Sequence, residues 1–258
     1  ISIQAEQAKP RYLPKMSTDS KTWQELPFVI KDNQLTFEVT LSKALFIAGQ
    51  EIINNAQYLS WMSQIAQESS FTQINLGNST LGRPIDGLIS QNINNTEWLL
   101  ILGRQHPPEV TGALALFGFV DELAKSSQRQ KAFLERFNVL IVPNLNPDGV
   151  ATGNWRHNSK GIDLNRDWGK FTQIETQLVK TKLDAILTGA QRIVFALDFH
   201  STQQDVFYTM PTDYTVAPSQ FSNDWLSKIK TQTVSSFVVR PKPGSSPGRG
   251  VFKQYIAD

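Results

Sequence analysis

Apolar runs of strand length alternate along most of this chain with segments whose apolar positions recur at helical spacing. Trp98–Gly103 and Asn138–Pro143 are continuous apolar runs, as expected of strands covered on both faces. A third run, Ile193–Phe199, stops at His200. Phe71–Leu76 and Pro84–Ile89 read as two strands joined by the turn Gly77–Arg83, and Asp205–Met210 and Phe237–Arg240 as two more. Helical spacing marks residues 55–67 (Tyr58, Trp61, Met62, Ile65), 110–124, 172–187 with a closing Gly189, and about 219–233. Residues 241–250 read as a loop, and the last residues as the start of another helix. Strands alternating with helices predict an α/β protein, an α/β/α sandwich on a mixed, largely parallel twisted sheet.

Residues 1–45 read as a small β-hairpin extension, Phe28–Ile30 and Leu35–Leu41 about the turn Lys31–Gln34; residues 46–258 form the main domain. Residues 144–168 read as one long loop without secondary structure, a length that is often functional.

Composition narrows the classes. With 40% hydrophobic and 19% charged residues the chain is of the ordinary globular kind. A net charge of +2 with no basic block implies neither a nucleic-acid nor a membrane-surface partner. No apolar run reaches the roughly 18 residues of a membrane span. The absence of Cys excludes disulfides, thiolate ligands and a Cys nucleophile. It leaves the compartment open, with the cytoplasm favoured. The start, Ile1-Ser2-Ile3, carries neither Met nor a leader pattern.

Chemistry concentrates at strand ends. His106 and Glu109 follow the run 98–103 on a strand-to-helix loop, three positions apart, and His200 ends the run 193–199. Two His and one Glu with an open fourth position form the ligand set of a hydrolytic zinc centre. In open α/β sheets such sites lie beyond the carboxyl ends of strands. Arg156, Asn165 and Arg166 stand in the long loop and offer polar groups to a ligand. Arg83 reads as a surface turn residue and His157 as a polar loop residue. Asp148 and Asp163 read as turn-makers through side-chain-to-backbone bonds, and Trp155 and Trp168 as packing for the loop. Asp198 either orients His200 or bonds a neighbouring loop.

Five ordered stretches carry a resemblance: His106-Pro107-Pro108-Glu109, Asn146-Pro147-Asp148-Gly149, Gly153-Asn154-Trp155-Arg156, Asp163–Trp168 and Asp198–Thr202. In order and spacing the chain resembles the zinc carboxypeptidase (M14) family from about Tyr58 to Asp258. Arg104–Pro107 and Gly161–Arg166 look most like its cytosolic-carboxypeptidase branch, and Gly248–Val251 looks like it more weakly. The resemblance implies one zinc ion per chain on His106, Glu109 and His200. It implies Arg156 at the scissile carbonyl, Asn165 and Arg166 on the terminal carboxylate, and peptide or protein C-termini as substrate. Arg249, with Lys242, would line the pocket for the terminal side chain and favour an acidic residue.

Two positions depart from the pattern. Pro108 stands where the family has Gly, which the first turn of a helix tolerates. No Glu follows Glu175, so the family's general-base Glu is expected beyond Asp258. Tyr255 stands in the wrong context for the family's late Tyr. Two other functions stay open: a related zinc amidohydrolase acting on N-acyl amino acids, and a non-catalytic module binding zinc or peptide termini.

Overall fold

Short, largely exposed strands fill the first of two units into which the chain divides, Ile1–Asn54 and Asn55–Asp258, in the computed structural model. Residues 5–9, 11, 211–217, 219, 234–235 and 242–249 are not described. Arg249 and Lys242, and most of the stretch read as a 241–250 loop, therefore lie outside the described residues.

The first unit holds β1 (Ser2–Gln4), β2 (Lys15–Ser17), β3 (Gln24–Glu25), β4 (Val29–Lys31), β5 (Gln34–Thr36) and β6 (Phe46–Ala48). They pair in two antiparallel sheets ordered β1-β5-β4 and β3-β2-β6. β4 and β5 make a two-residue hairpin in which Asp32 and Asn33 take positive φ, a conformation these side chains tolerate. Leu26, Leu35 and Phe37 form the buried cluster of this unit.

The second unit follows the strand–helix alternation of the sequence. Its elements are α1 (Asn55–Glu68), β7 (Thr72–Asn78), β8 (Pro84–Ser90), β9 (Glu97–Gly103), α2 (Val110–Leu123), α3 (Gln128–Arg136), β10 (Asn138–Val142) and α4 (Pro147–Thr152). There follow a 3₁₀ turn (Leu164–Arg166), α5 (Ile174–Ile186), β11 (Arg192–Phe199), β12 (Val206–Thr209), α6 (Phe221–Gln232), β13 (Val238–Pro241) and α7 (Phe252–Ala257). Five strands form a mixed sheet ordered β11-β9-β10-β8-β7. β9 pairs parallel with β10 and β11, whereas β8 pairs antiparallel with β10 and β7. β12 and β13 make a separate parallel pair.

Every residue of β9 and β10 is buried, which explains their unbroken apolar runs. One face of β9 (Trp98, Leu100, Leu102) packs with Val179 and Leu183 of α5 and Phe252 of α7. On the other face lies α2, so close that a Cβ on Gly103 would stand 2.7 Å from Leu116. α1 shares that face through Tyr58 and Trp61, both packed on Phe117. The result is the α/β/α layering that the alternation implies. No described helix is long and apolar enough to cross a membrane.

Three helical segments depart from the sequence reading. α4 and the 3₁₀ turn interrupt the long 144–168 loop. Asn146 caps α4 by accepting from Gly149 N at 3.0 Å, and Pro147 sits at its first position. α3 is so polar that only Gln130 is buried, and it offers few apolar positions to read.

Candidate metal centre

The ends of β9 and β11, adjacent and parallel, bring His106 and His200 to one place. Their rings lie 4.8 Å apart between centroids. Glu109 stands between them: Oε1 is 2.9 Å from His106 Nδ1 and Oε2 is 2.7 Å from His200 Nδ1. Glu109 occupies the N-cap position of α2 but makes no capping bond, because its carboxylate is turned to the imidazoles. The three side chains offer ligand atoms within 4.8 Å of one another.

The turn that presents His106 is shaped by its neighbours. Arg104, buried and at φ 52, donates from Nε to Pro107 O at 2.7 Å and from Nη1 to Tyr58 Oη at 3.0 Å. Pro108 lies before α2 rather than in its first turn, and its carbonyl accepts from Val110 N. On the other side, a Cβ on Gly112 would meet the His200 backbone at 2.7 Å, so the missing side chain lets β11 end against α2. Gly112 N and Thr111 Oγ1 both bond Ser201 Oγ, next to His200.

Each imidazole meets an aspartate through its other nitrogen. His106 Nε2 is 3.0 Å from Asp163 Oδ1, and His200 Nε2 is 2.7 Å from Asp198 Oδ2. Asp163 also accepts from Asn165 N, as a turn-maker would, and binds Arg156 Nε at 2.8 Å through Oδ2. Burial opposes charge on Glu109, but hydrogen bonds from both imidazoles outweigh it and bring its pKa down to about 2. Burial likewise opposes charge on His200, yet Asp198 and Glu109 push it up to about 10. His106 is raised too: bonds to Asp163 and Glu109 override its desolvation. Asp163 is held far below the usual carboxylate range against its own burial, by His106 and Arg156. Three carboxylates around two imidazoles make a place that attracts positive charge.

These residues fit a zinc ion. Two imidazole nitrogens and one carboxylate oxygen are the donor set of a hydrolytic site. A carboxylate on the second ring nitrogen is what metal-binding histidines ordinarily carry.

The remaining sequence candidates are placed as follows. Arg156 and Arg166 flank Asp163, with Arg166 Nη1 donating to Asn165 O at 2.6 Å. Asn165 has both amide ends engaged, Oδ1 accepting from Phe252 N and Nδ2 standing 3.3 Å from His200 Nε2. Asp148 is more than a local turn-maker: wholly buried, it accepts from Ser79, Leu81 N, Arg83 and Ser159, so Arg83 is spent on it. Trp168 packs inside at 2% exposure, against Phe171, Phe252 and Tyr255, whereas Trp155 is 63% exposed and does not hold the loop from within. Asn158 does that work, bonding Gln173 and Glu175 with Nδ2 and Lys160 N and Ile162 N with Oδ1. The reach of Asn158 to Gln173 and Glu175 was not legible in the sequence, because these partners lie 15 and 17 positions away.

Residues 58–242 match the zinc carboxypeptidase family. An uncharacterised protein of Zymomonas mobilis is 28% identical over 193 residues, 69% of this chain and 49% of that protein. Cytosolic carboxypeptidase 3 of Mus musculus is 26% identical over 164 residues, 60% of this chain and 16% of the mouse protein. The chain thus matches about half of one relative and about a sixth of the other. Among solved structures, a metallo-carboxypeptidase from Burkholderia cenocepacia superposes with a TM-score of 0.78 at 21% identity, over 95% of this chain and 68% of that one. A metallo-carboxypeptidase from Pseudomonas aeruginosa, solved with (2-guanidinoethylmercapto)succinic acid, gives 0.74 at 20% identity over the same shares.

Proposed function

We propose that this chain, which belongs to the zinc carboxypeptidase family, serves a metallocarboxypeptidase that hydrolyses the C-terminal amide bond of peptides. The observation that carries the reading is the Glu109 carboxylate shared between Nδ1 of His106 and Nδ1 of His200. Those three residues hold the zinc. Bound there, zinc supplies a Lewis acid that polarises a carbonyl and activates water.

The other roles fall to the chain's own cations. Arg156, anchored through Nε by Asp163, stabilises the negative charge that develops on the carbonyl oxygen. Arg166 pairs with the substrate's terminal carboxylate. Asn165 shares that task by giving up one of its two bonds. Each carboxylate at the centre, Glu109, Asp163 and Asp198, is already bound to an imidazole. None of them is assigned as the proton-transferring Glu that the family resemblance implies. Selectivity for an acidic terminal residue, through Arg249 and Lys242, is the finer form of the proposal.

A C-terminal ladder assay by mass spectrometry on mixed peptides tests this. Residues should be removed singly from C-termini, a chelator should stop the removal, and Asp or Glu ends should go fastest. Cleavage of N-acyl amino acids in preference to peptides would favour the amidohydrolase reading. Zinc and peptide binding without turnover would favour the binding module.

A further inference from the structure

A hydrogen-bonded chain that begins at an indole ends at His200. Trp168 Nε1 donates to Gln105 Oε1 at 2.9 Å, Gln105 Nε2 donates to Asp198 Oδ2 at 2.7 Å, and the same oxygen lies 2.7 Å from His200 Nε2. Gln105 is 0% exposed, and its own carbonyl accepts from Asn146 Nδ2 at 3.1 Å.

The direction of this chain is forced. An indole N–H can only donate, so the amide oxygen of Gln105 must face Trp168. The amide nitrogen then faces Asp198, which must accept. His200 Nε2 meets that acceptor and so keeps its hydrogen, and the proton that a metal would displace is the one on Nδ1, the nitrogen that faces Glu109. Asn165 Nδ2 approaches Nε2 as a competing donor, but at 3.3 Å against 2.7 Å it is the weaker neighbour. Asp198 Oδ1 is buried with no hydrogen-bond partner among the described residues. Only Gln105 and His200 therefore hold this carboxylate.

We propose that Gln105 is a positioning residue that, oriented by Trp168 and acting through Asp198, fixes the tautomer and ring orientation of His200. This rests on the reading of His106, Glu109 and His200 as zinc ligands. Gln105 also adjoins His106 in sequence, so one residue sets the second nitrogen of one ligand and the backbone of the other. Removing the amide leaves Asp198 tied to His200 alone, with the ring able to swing with it. Outer partners of this kind change metal affinity by about 10–100-fold.

The test measures zinc affinity by competition with a chromophoric chelator. The proteins are the unaltered chain, Gln105→Met, Gln105→Glu, Asp198→Asn and the pair Gln105→Met with Asp198→Asn. Gln105→Met and Gln105→Glu should each raise the zinc Kd about 10–100-fold. Gln105→Met should add less than about twofold once Asp198 is already Asn, because the route through it is gone. ¹⁵N spectra of the zinc-loaded chain should show His200 protonated on Nε2. If Gln105→Met does not fold, Gln105→Glu carries the test, since it keeps the acceptor for Trp168. Unchanged affinity in a folded Gln105 variant, or the same loss with and without Asp198, overturns the relay while leaving the zinc site standing. No zinc on the unaltered chain overturns both.

Discussion

Asp163 Oδ1 lies 3.0 Å from Nε2 of His106, across 57 positions of sequence, and its Oδ2 takes Nε of Arg156 at 2.8 Å. One carboxylate thus orients an imidazole proposed as a zinc ligand and anchors the arginine proposed for the reacting carbonyl. Asp163→Asn should raise the zinc Kd about 10–100-fold and lower kcat as well, because Arg156 loses its anchor. Chelator competition and steady-state kinetics read the two effects separately; a change in neither would remove Asp163 from the site.

His106→Ala removes a donor outright. Elemental analysis should fall from one zinc per chain to well below one, with peptide cleavage lost. A variant that kept a full equivalent of zinc would show that the ligands lie elsewhere.

Protons and zinc compete for the same nitrogens. Both histidines are raised, His200 to about 10, so binding must expel protons at neutral pH. Apparent zinc affinity should rise with pH, about tenfold per unit for each proton displaced. Titration calorimetry in buffers of different ionisation heat counts the protons released; a pH-independent Kd between pH 6 and 8 would contradict the site.

Asp148 gives stability its acid limb. Burial disfavours its charge, but bonds from Ser79, Leu81 N, Arg83 and Ser159 outweigh that and lower its pKa below 3.8. A depressed folded value means the contribution is present above the unfolded pKa and fades as pH falls through the folded one. Asp148→Asn should cost on the order of 3 kcal/mol at pH 7, and less as the unaltered protein is acidified below about pH 4. Urea midpoints against pH measure both.

Much of this was legible in the residues. Continuous apolar runs marked β9 and β10 because both faces are covered, and a run that stops at His200 marked the end of β11. What escaped lacks local pattern. α3 is mostly polar and buries only Gln130, so few apolar positions mark it. α4 was announced by Asn146, Pro147 and Gly153, but six residues are too few for a period to emerge. Asp163 and Asp148 looked like turn-makers because their partners 57 and 69 positions away cannot be read along a chain. Gln105 is the extreme case: its neighbours Trp168 and Asp198 become neighbours only after folding.

The last residues are fastened to the rest by more than the peptide chain. Trp168 N donates to Gly250 O at 3.0 Å, Phe252 N donates to Asn165 Oδ1 at 3.0 Å, and Phe252 is buried against Trp168. Burying one such ring stabilises by about 1.5–3 kcal/mol. Phe252→Ala should therefore let the amide hydrogens of Trp168 and of residue 252 exchange faster with solvent. The same loosening should free Asn165, whose other amide end stands 3.3 Å from His200 Nε2.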